Sequence, residues 1–198
     1  MILNVLRNDL AYFVPEPKIL NAADFGVPQN RERVIIVGFR DARDSFGFFY
    51  PEGHRTDKVL ADILEEKPVS ARYYLSERYL KALEKHRKRH ESLGHGFGYE
   101  IRDINGLARA LVVGGMGRER NLIKDFRAEN PVPVTRGKVN SAFIRRLTPR
   151  EYARLQGFPD AFIIPVSDTQ AYKQFANAVP VPMIEAVATE ILKQFGKI

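Results

Sequence analysis

The 198-residue chain contains no cysteine. That absence excludes disulfides, Cys-ligated zinc, iron–sulfur clusters and any thiolate nucleophile supplied by these residues. Long apolar runs are missing too. No stretch reads as the roughly 20 residues that cross a bilayer. Met1 to Leu10 carries Arg7, Asn8 and Asp9, where a secretory signal would be apolar. A cytoplasmic protein that meets no membrane is the expectation. Internal repeats and low-complexity tracts are also lacking. With 44% hydrophobic and 28% charged residues, the composition suits one large folded domain or two small ones.

What is present in surplus is positive charge, and it is local. The net charge is +7, with an isoelectric point near 9.7. Residues 70–145 hold 16 Lys and Arg against 8 Asp and Glu, a net of +8, while the remainder holds 15 against 16. A basic segment of this kind points to a polyanion such as nucleic acid. The alternative is a solvated helix face, since Lys81, Lys85, Arg87, Lys88 and Arg89 crowd one stretch.

Along the chain, Ile2, Val5, Leu6 and Leu10 have the spacing of a short amphipathic helix, ended by Pro15 and Pro17. Lys18 to Ala22 reads as a strand and Asp24 to Pro28 as a loop. Arg33 to Phe39 is the clearest strand, and its β-branched run predicts burial on both faces. Asp41 to Arg55 reads as an irregular linker, and Val59 to Glu66 as a short helix. A longer helix is predicted from Ser76 to Gly94, followed by a glycine-rich loop over Gly94 to Tyr99. Residues 100–140 read as short strands and loops, with a second glycine cluster at Gly114 to Gly117. Thr148-Pro149-Arg150-Glu151 is a capping box for a helix that stops at Gly157. Ser167 to Gln170 repeats the spacing, and a last helix from Pro182 carries Ile184, Val187, Ile191 and Phe195 as its apolar stripe. This is α/β material at each end of a basic, loop-rich middle. A strand buried on both faces needs neighbours, and the ends hold too few: the sheet lacks its centre.

Three segments carry a resemblance. Leu20 to Arg33, with Gln29-Asn30-Arg31-Glu32-Arg33 leading into a strand, resembles the eighth conserved motif of the C5-cytosine DNA methyltransferases. Arg146 to Glu151 with Leu155-Gln156-Gly157-Phe158-Pro159 resembles the ninth motif, and Gln170 to Pro182 the tenth. They stand in family order, with a variable region where the family places target recognition. The resemblance covers nearly the whole chain but not a whole enzyme, because the glycine-rich cofactor loop and the Pro-Cys nucleophile of the family are not in it. C5 methylation requires a thiolate to add at C6 of cytosine before C5 becomes nucleophilic. The fold class implied is α/β: the C-terminal part of a Rossmann-like methyltransferase domain with a small irregular α+β target-recognition domain. The expected divisions are 1–45, 46–160 and 161–198.

The resemblance also implies roles. A flipped cytosine needs polar partners at its edge. Arg33 would reach the cytosine carbonyl, Arg31 would support the loop and a nearby phosphate, and Gln29 would order the turn. Arg31 and Arg33 lie two apart and share one face of a strand; without the flanking match the pattern reads as a surface ion-pair cluster. Asn177, at a turn between two helices, and backbone around Val179 would hold S-adenosylmethionine. Ala176 stands where the family usually has glycine, and it would be strained if that position required positive φ. The ninth-motif helix is expected to be structural. In the middle region Arg109, Arg118, Arg120 and Lys124 flank the glycine cluster and are the candidate DNA contacts, Arg to guanine being the commonest specific one. His86 and His90 are four apart on a helix, but neither a third ligand nor a protease-type Glu between them supports a metal site.

The function implied is methyl transfer from S-adenosylmethionine to C5 of cytosine in a short duplex site. It would occur only when an N-terminal half supplies the thiolate and the cofactor loop, and this chain alone would be inactive. A stand-alone DNA-binding module or inactive remnant is the alternative, and an RNA-binding structural protein a weaker one. The apolar faces left by the missing half would drive self-association of the isolated chain.

Overall fold

The short apolar segments of the N-terminal third can be satisfied only by pairing with one another, and they do so in antiparallel fashion. The computed structural model describes residues 1–94, 98–114, 117–127 and 137–196. The chain starts with α1 (Ile2–Asn4), which continues as a π-helical turn over Val5–Asp9; neither buries a residue, and of the predicted amphipathic stripe Ile2, Val5 and Leu10 are exposed and Leu6 half-buried. Next come β1 (Lys18–Asn21), a 3-10 turn (Ala22–Phe25), β2 (Gln29–Asn30) and β3 (Glu32–Ile35). β1 pairs with β3 in the register Leu20 to Arg33 and Asn21 to Glu32.

The expectation of a strand buried on both faces is corrected here. Along 31–39 the odd positions are buried or half-buried and the even ones exposed, the alternation of a sheet covered on one side. Ile19 and Val34 are 62% and 61% exposed. The covered face holds Leu20, Val37 and Phe39, packed with Phe48 and with Met183 and Val187 of the last helix.

The linker contributes one turn, α2 (Ala42–Ser45), and 3-10 turns follow at Leu60–Ile63 and Ala71–Tyr73. In α3 (Glu77–Ser92) the Ser76 hydroxyl accepts from the Tyr79 N–H, and Gly94 ends the helix region at φ +72°. β4 (Ala108–Arg109) lies parallel to β2, and β5 (Ile123–Lys124) antiparallel to β6 (Ile144–Arg145). The expected loop over Gly94 to Tyr99 and the glycine cluster lie in part outside the described residues (95–97, 115 and 116).

The C-terminal third forms α4 (Pro149–Leu155), α5 (Asp168–Asn177) and α6 (Val181–Gln194). The Thr148–Glu151 capping box is present, and Gly157 turns at φ +78°. A Cβ there would also stand 2.4 Å from Pro182 Cδ, so α4 and α6 approach too closely for any other residue. The second capping box does not form: Ser167 makes no side-chain cap, and Asp168 turns to Arg72 and Tyr73 instead. The stretch Asp168–Gln194 is long and apolar enough to cross a membrane by composition, yet Ala178–Pro180 breaks it into two helices. Ala171, Tyr172, Phe175 and Ala176 of α5 join a core with Leu60, Ala108, Leu111, Leu147 and Tyr152, whereas α6 covers the β1–β3 sheet.

Candidate functional site

A helix ends with carbonyls that have no partner of their own, and those of α5 are met by two buried side chains. Arg31, 3% exposed, donates from Nη2 to the carbonyls of Ala176 and Ala178, both at 3.0 Å, and from Nη1 to that of Leu111 at 2.7 Å. Gln156 Nε2 donates to the Phe175 carbonyl at 2.7 Å, and the Gln156 carbonyl accepts from the Val181 N–H at 2.8 Å. A cation at this end also meets the negative pole of the helix dipole. Gln29, fully buried, completes the joint: Nε2 donates to the Leu155 carbonyl at 2.9 Å and Oε1 accepts from the Leu111 N–H at 3.0 Å. The segments 29–31, 155–157 and 175–181, distant in sequence, therefore meet at one buried junction.

This placement corrects one assigned role. Arg31 supports the loop as expected, but its guanidinium is spent on backbone carbonyls in the interior and is not at hand for a phosphate. Burial, with the positive charge of Arg33 beside it, brings its pKa down to about 10, so it remains charged at neutral pH. Arg33 is only half-buried and donates to the Glu32 carbonyl at 2.6 Å. A guanidinium has five N–H donors in a planar fork, which leaves most of Arg33 able to bind an incoming carbonyl.

Asn177 is the last residue of α5, and both it and Val179 are exposed at the α5–α6 turn. The flanking carbonyls of Ala176 and Ala178 are held by Arg31, so the turn is anchored from inside while Asn177 and Val179 face out. The anticipated strain at Ala176 is absent: it lies within the helix, and the non-glycine residues of positive φ among those described are Ala11 and Phe143.

The middle-region cations separate into different settings. Arg109 is clamped through its backbone by the fully buried Asn121, whose Oδ1 accepts from the Arg109 N–H at 2.8 Å and whose Nδ2 donates to its carbonyl at 3.0 Å. Its guanidinium pairs with Glu100 at 2.9 Å. Arg118 stands over the Tyr172 ring, 5.5 Å from its centroid. Arg120 is half-buried on the same 3-10 turn (Gly117–Asn121). Lys124 is exposed on β5 and borders a different hollow, of about 450 Å³, beside Glu65, Glu66 and Phe126. The four do not share one cavity. On α3 the cations are partly matched by Glu77–Lys81, Glu84–Lys88 and Arg87–Glu91 pairs. His86 and His90 stack at 4.2 Å between centroids. Among the described residues no group of three His, Cys, Asp or Glu could hold a metal.

The largest polar feature was missed at the level of sequence. Arg145, fully buried on β6, pairs with both oxygens of Glu151 at 2.7 and 2.8 Å and with Asp125 at 2.7 Å. Arg127 closes on Asp125 at 2.7 Å. Glu151 is also the capping-box residue of α4, accepting from the Thr148 N–H at 2.7 Å. Burial alone would raise the Asp125 pKa, but hydrogen bonds from Arg127 and Arg145 outweigh it and hold the carboxyl well below the ordinary range. The available signal was Arg145, directly after the apolar Ala142-Phe143-Ile144 run and six residues before the capping Glu.

Solved methyltransferases share this fold. The Entamoeba histolytica methyltransferase EhMeth superposes with a TM-score of 0.68 at 17% identity, covering 100% of this chain and 58% of that one. The S. pombe Dnmt2 methyltransferase gives 0.66 at 19%, covering 98% and 62%. Residues 1–193 match the C-5 cytosine-specific DNA methylase family, and the chain belongs to it.

Among curated relatives, the Type II methyltransferase M.HpaII of Haemophilus parainfluenzae is 57% identical over 199 residues, which take in all of this chain and 56% of the relative. The Type II methyltransferase M.DsaV of Dactylococcopsis salina is 37% identical over 193 residues, 97% of this chain and 51% of the relative. The chain thus spans about half the length of the curated relatives it matches.

Proposed function

We propose that this chain supplies the target-recognition region and the eighth-to-tenth-motif part of a DNA (cytosine-5-)-methyltransferase acting on duplex DNA. The carrying observation is the junction at Arg31, where the three family segments meet in a chain without cysteine. A second segment brings the thiolate and the glycine-rich cofactor loop. The bare face of the β1–β3 sheet, with Ile19, Val34 and Ile36 exposed, supports a partner layer there, because contiguous exposed apolar surface marks an interface.

Arg33 takes the extruded cytosine by its carbonyl and draws electron density from the ring, which favours nucleophilic addition at C6. Arg31 is a positioning residue: it fixes the end of α5, and with it Asn177 and Val179, at a set distance from Arg33. Asn177 and the backbone at Val179 hold S-adenosylmethionine, which supplies an electrophilic methyl group when bound. The basic middle region holds the duplex.

The test is to mix the purified chain with a segment carrying the missing motifs and to measure methyl transfer to duplex DNA. Transfer by the mixture and by neither part alone is expected. Duplex binding without any rescue would instead make the chain a DNA-binding module or inactive remnant.

A further inference from the structure

On α5, Thr169, Tyr172 and Lys173 share one face, being three and four residues apart, and this face borders a hollow with Val112, Val113, Gly114 and Arg118. Between them lies a cavity of about 90 Å³, walled by Val112, Val113 and Tyr172 and rimmed by Arg118, Thr169 and Lys173. Two cations converge on it. Neither Arg118 nor Lys173 has a carboxylate partner among the described residues. The nearest acidic neighbours in sequence are engaged elsewhere. Glu119 is taken by Arg146 at 2.6 Å and Tyr79 at 3.2 Å, and Asp168 by Arg72 at 3.1 Å and Tyr73 at 3.0 Å. Arg118 is steadied by the Tyr172 face. Low-dielectric walls around unopposed positive charge focus the field on an anion. The cavity is far below the roughly 300 Å³ of a small-molecule pocket, so it suits a compact oxyanion and not a nucleobase.

We infer that Arg118, Thr169 and Lys173 form a clamp for one phosphate of the DNA backbone. The inference rests on the proposed reading of the chain as DNA-binding, and it changes the role of Arg118 from reading a base to setting register, the usual task of a phosphate contact. It also gives α5 two functional ends. The first turns hold the duplex, and the end capped by Arg31 carries Asn177 and Val179.

The test follows duplex binding by fluorescence anisotropy across a salt series, for the unaltered chain and for the Arg118→Gln and Lys173→Gln variants. Each variant is expected to weaken matched and unrelated duplexes by the same factor and to flatten the slope of log affinity against log salt by about 0.9. An unchanged slope, or a loss confined to one DNA sequence, overturns the clamp while leaving DNA binding intact. In parallel, inorganic phosphate should raise the melting temperature of the unaltered chain but not of the double variant. If no duplex binds, the DNA-backbone clamp falls together with the DNA-binding reading, and a phosphate-dependent rise would then show only an anion site at these residues.

Discussion

Arg145 and Glu151 face each other with no solvent exposure, joined by two hydrogen bonds of 2.7 and 2.8 Å. The pair links β6 to the first turn of α4, and Asp125 on the other edge of Arg145 extends it to β5. Taking one partner away from a buried pair costs about 3–5 kcal/mol, because the remaining charge stays buried. Arg145→Met strands two carboxylates and should lower the unfolding free energy by that order in urea titrations. A loss under about 1 kcal/mol would show the pair to be solvated.

Acid should expose the same cluster. The Asp125 carboxyl is held below its unfolded value, so its contribution is fully present above pH about 4 and is lost as pH falls through the lower folded value. The unaltered chain should therefore lose stability more steeply below pH about 4 than Asp125→Asn, which lacks this group. Parallel stability curves for the two proteins would contradict the assignment.

Arg31 and Arg33, two residues apart, should fail differently. Arg31→Met leaves the carbonyls of Leu111, Ala176 and Ala178 without their donor, at about 1–3 kcal/mol for each one left unsatisfied. Hydrogen exchange over 174–181 should accelerate. Arg33→Ala should shift stability by no more than about 0.5 kcal/mol, yet lower methyl transfer by the complemented enzyme about a hundredfold or more. Equal stability losses for the two would remove the distinction.

Ala176→Gly tests the tenth-motif helix by sign. Because Ala176 is helical, glycine there should destabilise by about 0.5–1 kcal/mol. A gain in stability would mean that the position needs a left-handed backbone.

The helices were largely legible from local rules. Thr148 caps where its spacing says, α3 starts beside Ser76 as expected, Gly157 stops α4, and the Ile184–Val187–Ile191 stripe faces the sheet. Ser167 was misread because the same spacing does not decide whether the side chain turns to the helix or, as with its neighbour Asp168, the acidic group turns to Tyr73 and Arg72. The strand expected over Arg33 to Phe39, which forms as β3 over Glu32–Ile35, was misread on its outer face, since β-branched residues report a preference for strand and not what covers it. At the site, the pairing of Arg31 with Ala176 spans 145 residues, and no local pattern encodes it; only the resemblance placed both segments near one function. The Arg145 cluster was hidden for the same reason, its partners lying 6 and 20 residues away in elements whose packing the sequence does not specify.

The central claim of the proposal is that the sulfur nucleophile of the proposed methyltransferase resides outside these 198 residues. Duplex DNA with 5-fluorocytosine at the target position traps the thiolate adduct, since fluorine at C5 cannot leave as a proton does. With the complementing segment and S-adenosylmethionine present, a denaturing gel should show the labelled DNA joined to that segment and never to this chain. Labelled DNA covalently attached to the 198-residue chain itself would contradict the account.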